Sequence, residues 1–207
     1  MSGFFITFEG PEKSGKSTQA RLLERYLTKK GFSCLFIREP GSTSIGEKIR
    51  RILLDKRNTH LEHTTEMLLY MAARSQIVKE IINPALQQNK VVICDRFLDS
   101  TIAYQGYGLG MDRALIRTIG AFATERISPG ITLLLDMSKS DSSFKKTANK
   151  DRIELRSRRF HDRVRKGYFC LAKQYPRRIK IVRVAKTILA TQKEIRRIID
   201  TCLLKKS

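Results

Sequence analysis

The sequence contains no tryptophan, only four cysteines and five prolines, and no long apolar run. Its longest apolar stretches, residues 91–94 and 131–135, are far shorter than the roughly 18 residues of a membrane-spanning helix. The N-terminus lacks the charged start and small-residue cleavage site of a secretory signal, and the cysteines form no CxxC pair. We therefore expect a cytoplasmic protein with free thiols and no membrane contact.

Acidic residues are also scarce, with 20 Asp and Glu against 41 Lys and Arg and a formal net charge of +21. The excess is concentrated at the C-terminal end: residues 1–110 carry 16 basic and 11 acidic side chains, whereas residues 111–207 carry 25 and 9. Such a charge suits nucleic acid, an acidic surface or a small polyanionic substrate. No RNA-binding signature accompanies it, so we interpret it as a solvated basic face and consider nucleic acid an unlikely partner.

Short apolar segments alternate with longer segments of helical periodicity, which is typical of βαβ units and a parallel sheet. The predicted strands are residues 4–8, 33–37, 91–94, 131–135 and 180–184, and the predicted helices are residues 17–29, 44–54, 65–86 and 152–174. The sequence therefore predicts one α/β domain over residues 1–207, with a five-stranded parallel sheet covered by helices on both faces. The polar, lysine-bearing stretch 138–150 predicts a mobile loop.

A phosphate-binding motif, GxxxxGK[ST], follows the first predicted strand and opens the first predicted helix. It reads Gly10-Pro11-Glu12-Lys13-Ser14-Gly15-Lys16-Ser17, with Thr18 next in the helix. Glycines let the backbone wrap around an anion, and the successive N–H groups at the helix N-terminus face it. Lys16 is placed to reach the β and γ phosphates, and the Ser17 hydroxyl to ligate Mg²⁺. The motif predicts a nucleotide site.

The residues after the third predicted strand favour phosphoryl transfer over hydrolysis. This strand ends in Asp95-Arg96, not in the adjacent acids that serve ATP hydrolysis in motors and helicases. A GTPase is disfavoured, because Asn149-Lys150-Asp151 is one residue short of the guanine-reading NKxD and no Asp has Gly three positions later. Asp95 and Arg96 would lie at the carboxyl end of the sheet, where a carboxylate organises Mg²⁺ and a fixed guanidinium meets phosphoryl groups.

From residue 4 to about residue 171 the sequence resembles the thymidylate kinases of the bacterial type. The matching segments are Phe8-Glu9-Gly10, Arg38-Glu39-Pro40-Gly41, residues 46–50 and 66–76, Asp95-Arg96-Phe97 with Asp99-Ser100-Thr101, Ala103-Tyr104-Gln105-Gly106 and Asp151-Arg152-Ile153-Glu154. The resemblance implies transfer of the γ-phosphoryl group of ATP to dTMP with Mg²⁺, by positioning and charge neutralisation. It also implies the three-layer P-loop kinase fold, a short lid at about residues 138–150 and a homodimer.

The resemblance also assigns roles to individual residues. Arg50 would bind the monophosphate, Tyr70 would stack on thymine, Arg74 would reach its O4 and Thr101 its N3, and Tyr104 would lie near the ribose 2′ position. The implied catalytic residues are Glu12, Lys13, Lys16, Asp95 and Arg96, with Ser17 and Asp95 at the metal. The implied ATP site comprises residues 10–18 with Lys145, Lys146 and Arg152, and the implied dTMP site comprises Glu12, Arg50, Tyr70, Arg74, Arg96, Ser100, Thr101, Tyr104 and Gln105.

Two features depart from the family pattern. Tyr70 stands where the family usually has phenylalanine, so its hydroxyl needs a partner or water. The transition-state cation has two alternative sources, Lys13 in the P-loop or the lysines of residues 138–150. Two alternative functions remain: a kinase for another deoxynucleoside monophosphate, and a non-enzymatic basic P-loop protein that binds nucleic acid.

Overall fold

The computed structural model describes residues 3–137 and 151–204. The predicted lid at residues 138–150, including Lys145 and Lys146, lies outside the described residues. The strands are β1 (Phe4–Glu9), β2 (Cys34–Arg38), β3 (Val91–Asp95), β4 (Ile131–Asp136) and β5 (Ile179–Arg183). They form one sheet in the order β2-β3-β1-β4-β5 in which every pairing is parallel. The predicted sheet is therefore confirmed, with strand ends within one residue of expectation.

Helices connect the strands and cover both faces of the sheet. They are α1 (Lys16–Lys29), α2 (Ser44–Leu54), α3 (His63–Ile77), α4 (Asn83–Gln87), α5 (Leu98–Thr101), α6 (Arg113–Ala123), α7 (Arg158–Gln174) and α8 (Ile188–Leu204), with π-helical segments at Val78–Ile82 and Ile102–Gly108. The helix predicted at 65–86 is thus interrupted by a π-helical segment. The helix predicted to start at residue 152 starts later, because Ser157 caps α7 by accepting a hydrogen bond from the Phe160 N–H.

Successive side chains of a strand point to opposite faces of the sheet, so the core is divided into two parts, one on each face. Ile6 and Leu133 pack with α1 and α8, whereas Leu134 packs with α3, α6 and α7 on the opposite face. Phe5 and Val92 point to that opposite face too, against the π-helical segment Val78–Ile82 and α4. Three layers result, as the sequence predicts. Among the described helices, none is long and apolar enough to cross a membrane.

Two glycines shape the turn between β1 and α1. Gly10 has φ +136°, and a Cβ there would lie 2.3 Å from the carbonyl oxygen of Leu135 in β4. Gly15, with φ +88°, occupies the N-cap position of α1. Both backbone conformations suit glycine, and at Gly10 any side chain would also collide with the neighbouring strand. The turn therefore brings the N-terminus of α1 close to the carboxyl edge of the sheet.

Candidate active site

One cleft of about 290 Å³ lies at the carboxyl ends of β1, β2 and β3. Its position agrees with the rule that ligands of open parallel sheets bind beyond the carboxyl ends of the strands. Thirteen of the residues predicted from the sequence line it: Glu12, Lys13, Lys16, Ser17, Arg50, Tyr70, Arg74, Asp95, Arg96, Ser100, Thr101, Tyr104 and Gln105. The fold thus brings together side chains that are up to 93 positions apart in the sequence.

Lys16 is buried at the floor of this cleft. Its Nζ donates hydrogen bonds to the carbonyl oxygen of Pro11 at 2.6 Å and to Ser14 Oγ at 3.4 Å. Burial, followed by the nearby Arg96 cation, lowers the pKa of Lys16 to about 8, although Asp95 and Glu12 act in the opposite direction. A phosphate oxygen at this position would supply the negative charge that favours the ammonium form.

Ser17 and Asp95 form a pair of oxygen ligands beside Lys16. Ser17 Oγ donates a hydrogen bond to Asp95 Oδ2, while Asp95 Oδ1 is buried with no hydrogen-bond partner among the described residues. An unpartnered carboxylate oxygen next to a hydroxyl matches the hard oxygen ligands that Mg²⁺ prefers. Within residues 3–137 and 151–204, no group of three or more His, Cys, Asp or Glu could hold a metal. A bound Mg²⁺ would therefore need substrate phosphates and waters to complete its coordination.

Arg96 is anchored from several directions. Its Nη1 donates to the Gly10 carbonyl at 3.1 Å and to the hydroxyls of Ser100 and Tyr168, each at 3.2 Å. Its Nη2 donates to Glu12 Oε1 at 3.3 Å. The residue has φ +74°, which is uncommon for a non-glycine residue and turns the chain sharply at the end of β3. The result is a fixed guanidinium facing the P-loop.

Glu12 contributes the carboxylate that accepts from Nη2 of this guanidinium. Its Oε1 also accepts a hydrogen bond from the Tyr104 hydroxyl, and its Oε2 lies 3.7 Å from His161 Nδ1. Burial opposes ionisation, but Arg96, Lys16 and the Tyr104 hydrogen bond together hold the pKa of Glu12 below its ordinary value. Glu12 is therefore an anion available to a hydroxyl or cation in the cleft.

Helix α3 supplies another wall of the cleft. Tyr70 and Arg74 lie one turn apart and both face the cleft. Arg74 is only 1% exposed; its Nε donates to Glu39 Oε2 at 2.8 Å and its Nη1 to Thr101 Oγ1 at 3.0 Å. Burial raises the pKa of Glu39 to about 7, against the effect of Arg74. This wall offers a ring and a fixed donor, which suit a planar base bearing a carbonyl oxygen.

Other predicted residues support the cleft without lining it. Gly10, Pro11, Ser14 and Gly15 form the loop around Lys16, and Thr18 is an exposed residue of α1. Arg152, predicted at the ATP site, does not line the cleft: its Nε donates to the Leu53 carbonyl at 2.9 Å and its Nη2 to Glu66. Gln105, which does line the cleft, also donates from its Nε2 to the Glu66 carboxylate at 2.8 Å.

Several lining residues received no individual role from the sequence. They are Arg38, Glu39, Pro40, Leu54, Asp151, Ile153 and Glu154. Arg38 ends β2, and Glu39 and Pro40 follow it, so their position at the end of a parallel strand was the available signal. Glu154 Oε2 lies 3.8 Å from Nζ of the P-loop residue Lys13. In the sequence, only the matched segment 151–154 indicated that Glu154 is important. Nothing in the local sequence indicated Tyr168, which reaches Arg96 from α7.

Comparisons with known proteins agree with this geometry. The family model described as Thymidylate kinase matches residues 8–195. A thymidylate kinase of an Exiguobacterium species is 44% identical over 197 residues, which is 94% of this chain and 93% of that protein. The Symbiobacterium thermophilum thymidylate kinase is 44% identical over 200 residues, or 96% of this chain and 94% of that protein.

A solved structure shows the same similarity in three dimensions. The crystal structure of thymidylate kinase from Ehrlichia chaffeensis superimposes with a TM-score of 0.80 at 34% identity, covering 97% of this chain and 99% of that one. The resemblance inferred from the motifs is therefore confirmed over nearly the whole chain. The chain belongs to the thymidylate kinase family.

Proposed function

We propose that the cleft transfers the γ-phosphoryl group of ATP to dTMP, giving dTDP and ADP. The observation that supports this most directly is the convergence of P-loop Lys16, Arg96 and the base-sized wall of Tyr70 and Arg74 in one cleft. Family membership supports the same reaction. It favours neither of the two alternatives, a kinase for another monophosphate or a nucleic-acid-binding protein.

The P-loop side holds ATP. Backbone N–H groups of residues 12–18 surround the β phosphate at the N-terminus of α1, and Lys16 reaches the β and γ phosphates. Ser17 and Asp95 are the residues that would hold Mg²⁺, whose charge neutralises the phosphate oxygens when it is bound. Lys13 reaches the cleft beside Glu154, and Lys145, Lys146 and Arg152 remain predicted contacts on the ATP side.

The α3 side holds dTMP. Tyr70 stacks on thymine, Arg74 and Thr101 read its edge, and Gln105 lies along the nucleoside. Tyr104 packs near the ribose 2′ position and holds Glu12 toward the sugar 3′-hydroxyl and the metal. Arg50, whose Nη1 donates to the Pro40 carbonyl at 2.8 Å, binds the acceptor phosphate.

With ATP and dTMP bound on these two sides, the proposed reaction has the acceptor phosphate in line with the γ phosphorus. An oxygen of dTMP forms the new bond to phosphorus, the bond to the β–γ bridging oxygen breaks, and the electron pair leaves with ADP. Arg96 lies between the two phosphate positions and neutralises charge on both. Because its guanidinium is already fixed by Gly10, Ser100, Tyr168 and Glu12, little reorganisation is needed during transfer.

An ADP-release assay across nucleoside monophosphates tests this function. With ATP and Mg²⁺, we expect dTMP to give the highest kcat/KM, because Arg74 and Thr101 face a base carbonyl. A higher kcat/KM for dCMP, dAMP or dGMP would favour another monophosphate kinase. No ADP release with any monophosphate, together with a salt-dependent shift on single-stranded or duplex DNA, would favour the nucleic-acid alternative.

Replacing Arg74 by alanine is expected to relax base choice. The loss of a directional hydrogen bond to a base edge should lower kcat/KM for dTMP by about 1 to 3 kcal/mol in transition-state terms. The comparison of dTMP with dCMP measures this effect, and Arg74→Lys is the matched variant that keeps charge but not the planar donor geometry. Equal losses for both substrates would instead make Arg74 a structural residue.

We also propose a cytoplasmic homodimer in which residues 1–207 form one kinase domain. Adjacent helices on one side of the sheet leave apolar side chains uncovered: Ile52 on α2, Leu68 on α3, and Leu115 and Phe122 on α6. Leu115 and Phe122 are seven residues apart and share one face of α6, and Phe122 is 87% exposed. Exposed apolar residues on neighbouring helices are typical of an association surface.

Replacing Phe122 by glutamate is expected to convert the dimer to a monomer, because a charge would lie where two apolar surfaces meet. Light scattering coupled to size-exclusion chromatography at several concentrations measures the mass. Leu189→Glu is the matched control, since Leu189 is 73% exposed on α8, which packs on the opposite face of the sheet. A dimer that persists in Phe122→Glu, or a monomeric wild-type protein, would contradict this interface.

A further inference from the structure

Glu9, the last residue of β1, lies behind Arg96 and does not line the cleft. It is fully buried, at 0% exposure. Its Oε2 accepts hydrogen bonds from Ser100 Oγ at 2.5 Å and from the Tyr168 hydroxyl at 2.9 Å, and its Oε1 accepts one from the Phe97 N–H at 2.8 Å. Burying a carboxylate is costly, so three donors converging on one carboxylate point to a specific role.

The direction of these hydrogen bonds matters for Arg96. Each hydroxyl carries one proton, and a hydroxyl that donates to Glu9 offers only lone pairs to its other neighbours. Those neighbours include Arg96 Nη1, which is 3.2 Å from both Ser100 Oγ and the Tyr168 hydroxyl oxygen. The Glu9 carboxylate therefore turns two ambivalent hydroxyls into two hydrogen-bond acceptors for the guanidinium.

Glu9 also fixes the backbone next to Arg96. The Phe97 N–H that it binds belongs to the residue immediately after Arg96, whose φ is +74°. On the other side, the Arg96 N–H donates to the Phe8 carbonyl at 2.9 Å, in the residue before Glu9. The end of β1 thus holds both the main chain and the side chain of Arg96.

We propose that Glu9 is a positioning residue for phosphoryl transfer, which acts by orienting the Ser100 and Tyr168 hydroxyls and the Arg96 backbone so that the guanidinium is held at the transferring group. The inference rests on the proposed role of Arg96 in the reaction. Glu9 does not itself line the cleft, so its effect reaches the reaction through the residues it holds, above all Arg96.

The charges around Glu9 decide the conditions of the test. Asp99 and Tyr168 face it from α5 and α7, Arg96 follows β3, and Lys16 and Arg178 lie near enough to interact with its charge. Burial and then Asp99 raise the pKa of Glu9 to about 7, although Arg96 lowers it. Assays at pH 8.5 therefore compare variants with a wild-type enzyme in which Glu9 is ionised.

Glu9→Gln is the first variant. It preserves size, but the new amide N–H₂ donates toward Ser100 or Tyr168 and forces that hydroxyl to turn its proton toward Arg96. We expect kcat to fall about 10- to 100-fold, since one misdirected buried hydrogen bond is worth that much, while KM for dTMP stays within about threefold. Tyr168→Phe, which removes one acceptor but keeps Glu9, is expected to lower kcat in the same direction by a smaller factor.

A double-mutant cycle separates positioning from a general structural role. If Glu9 acts through Arg96, Glu9→Gln should cost almost nothing further in an Arg96→Ala background. The control is Asp99→Asn, which removes a buried carboxylate bound to Arg178 and Thr132 and not to Arg96. It should lower thermal stability while leaving kcat within about twofold, as expected for a group that makes no contact with the transferring region.

The proposal would be overturned if Glu9→Gln lowered kcat by the same factor in the wild-type and Arg96→Ala backgrounds. An unchanged kcat in a folded Glu9→Gln variant would overturn it too. If Glu9→Gln fails to fold by circular dichroism, the cycle of Tyr168→Phe with Arg96→Ala gives the same decision. Failure of the proposed function is distinguishable, because it would show as missing dTMP phosphorylation in the wild-type enzyme. Failure of the Arg96 role would show as normal turnover in Arg96→Ala.

Discussion

Replacing Lys16 or Arg96 by alanine is expected to lower kcat by about a thousandfold or more, because stabilising charge on the transferring phosphoryl group accounts for most of the catalysis in phosphoryl transfer. The two cations face the P-loop turn from different elements, α1 and the end of β3, and both are held by hydrogen bonds to the protein. Steady-state ADP release with saturating ATP, dTMP and Mg²⁺ measures the effect.

Two exposed cations of α1 provide matched controls. Lys29 lies in the last turn of the helix and Arg21 lies against Phe36, and neither lines the cleft. Lys29→Ala and Arg21→Ala should keep kcat within about twofold, as usual for surface substitutions away from a site. Near-normal turnover in both Lys16→Ala and Arg96→Ala would show that the reaction occurs elsewhere.

The sheet and the P-loop could be predicted because local signals determine them. The three central strands, β1, β3 and β4, are short apolar segments buried on both faces, so their sequence pattern is recognisable without knowledge of distant residues. The glycines at positions 10 and 15 have positive φ values that the P-loop motif requires. The residues at the ends of parallel strands then meet by topology alone, which explains why Asp95, Arg96 and the P-loop share one cleft.

The supporting contacts could not be predicted because they depend on tertiary packing. Glu66 in α3 is buried and accepts hydrogen bonds from Gln105, Arg152 and Arg156, which come from two other parts of the chain. The apolar periodicity of α3 does not indicate that the charged residue Glu66 is buried. The hydrogen bonds of the Arg152 guanidinium to Glu66 and the Leu53 carbonyl are likewise set by packing and have no signal in the local sequence.

The helix boundaries also differ from those predicted, because tertiary packing changes the helical register locally. The apolar spacing predicts one helix over residues 65–86, but Val78–Ile82 adopt a π-helical register within it. The segment 98–123 contains two short helices and a π-helical segment that no simple periodicity indicated. That segment carries Ser100, Thr101, Tyr104 and Gln105, which line the cleft. Because these polar side chains occupy positions set by the site, the segment lacks the regular apolar spacing that would predict its helices.

Asp95→Asn is expected to lower kcat about 100-fold and to raise the Mg²⁺ concentration needed for half-maximal activity, because a carboxylate and its hydrogen-bonded partner control metal affinity on that scale. The substitution keeps an oxygen that can accept the Ser17 hydrogen bond but removes the negative charge. In the present structure the second carboxylate oxygen, Oδ1, is buried without a partner among the described residues, which is where a cation would compensate the cost of burial. A titration of activity against MgCl₂ at fixed ATP measures both effects.

Asp136→Asn is the matched control for Asp95→Asn. Asp136 also ends a parallel strand, but it pairs with Arg165 at 2.8 and 2.9 Å and does not line the cleft. Its replacement should remove that partly exposed ion pair and leave the Mg²⁺ dependence within about twofold of wild type. If both variants showed the same modest change, the Asp95 carboxylate would serve only to hold Ser17 at the start of α1. A selective shift in the Mg²⁺ dependence of Asp95→Asn would place the metal at Asp95 and Ser17, since Asp95 lines the cleft and Asp136 does not.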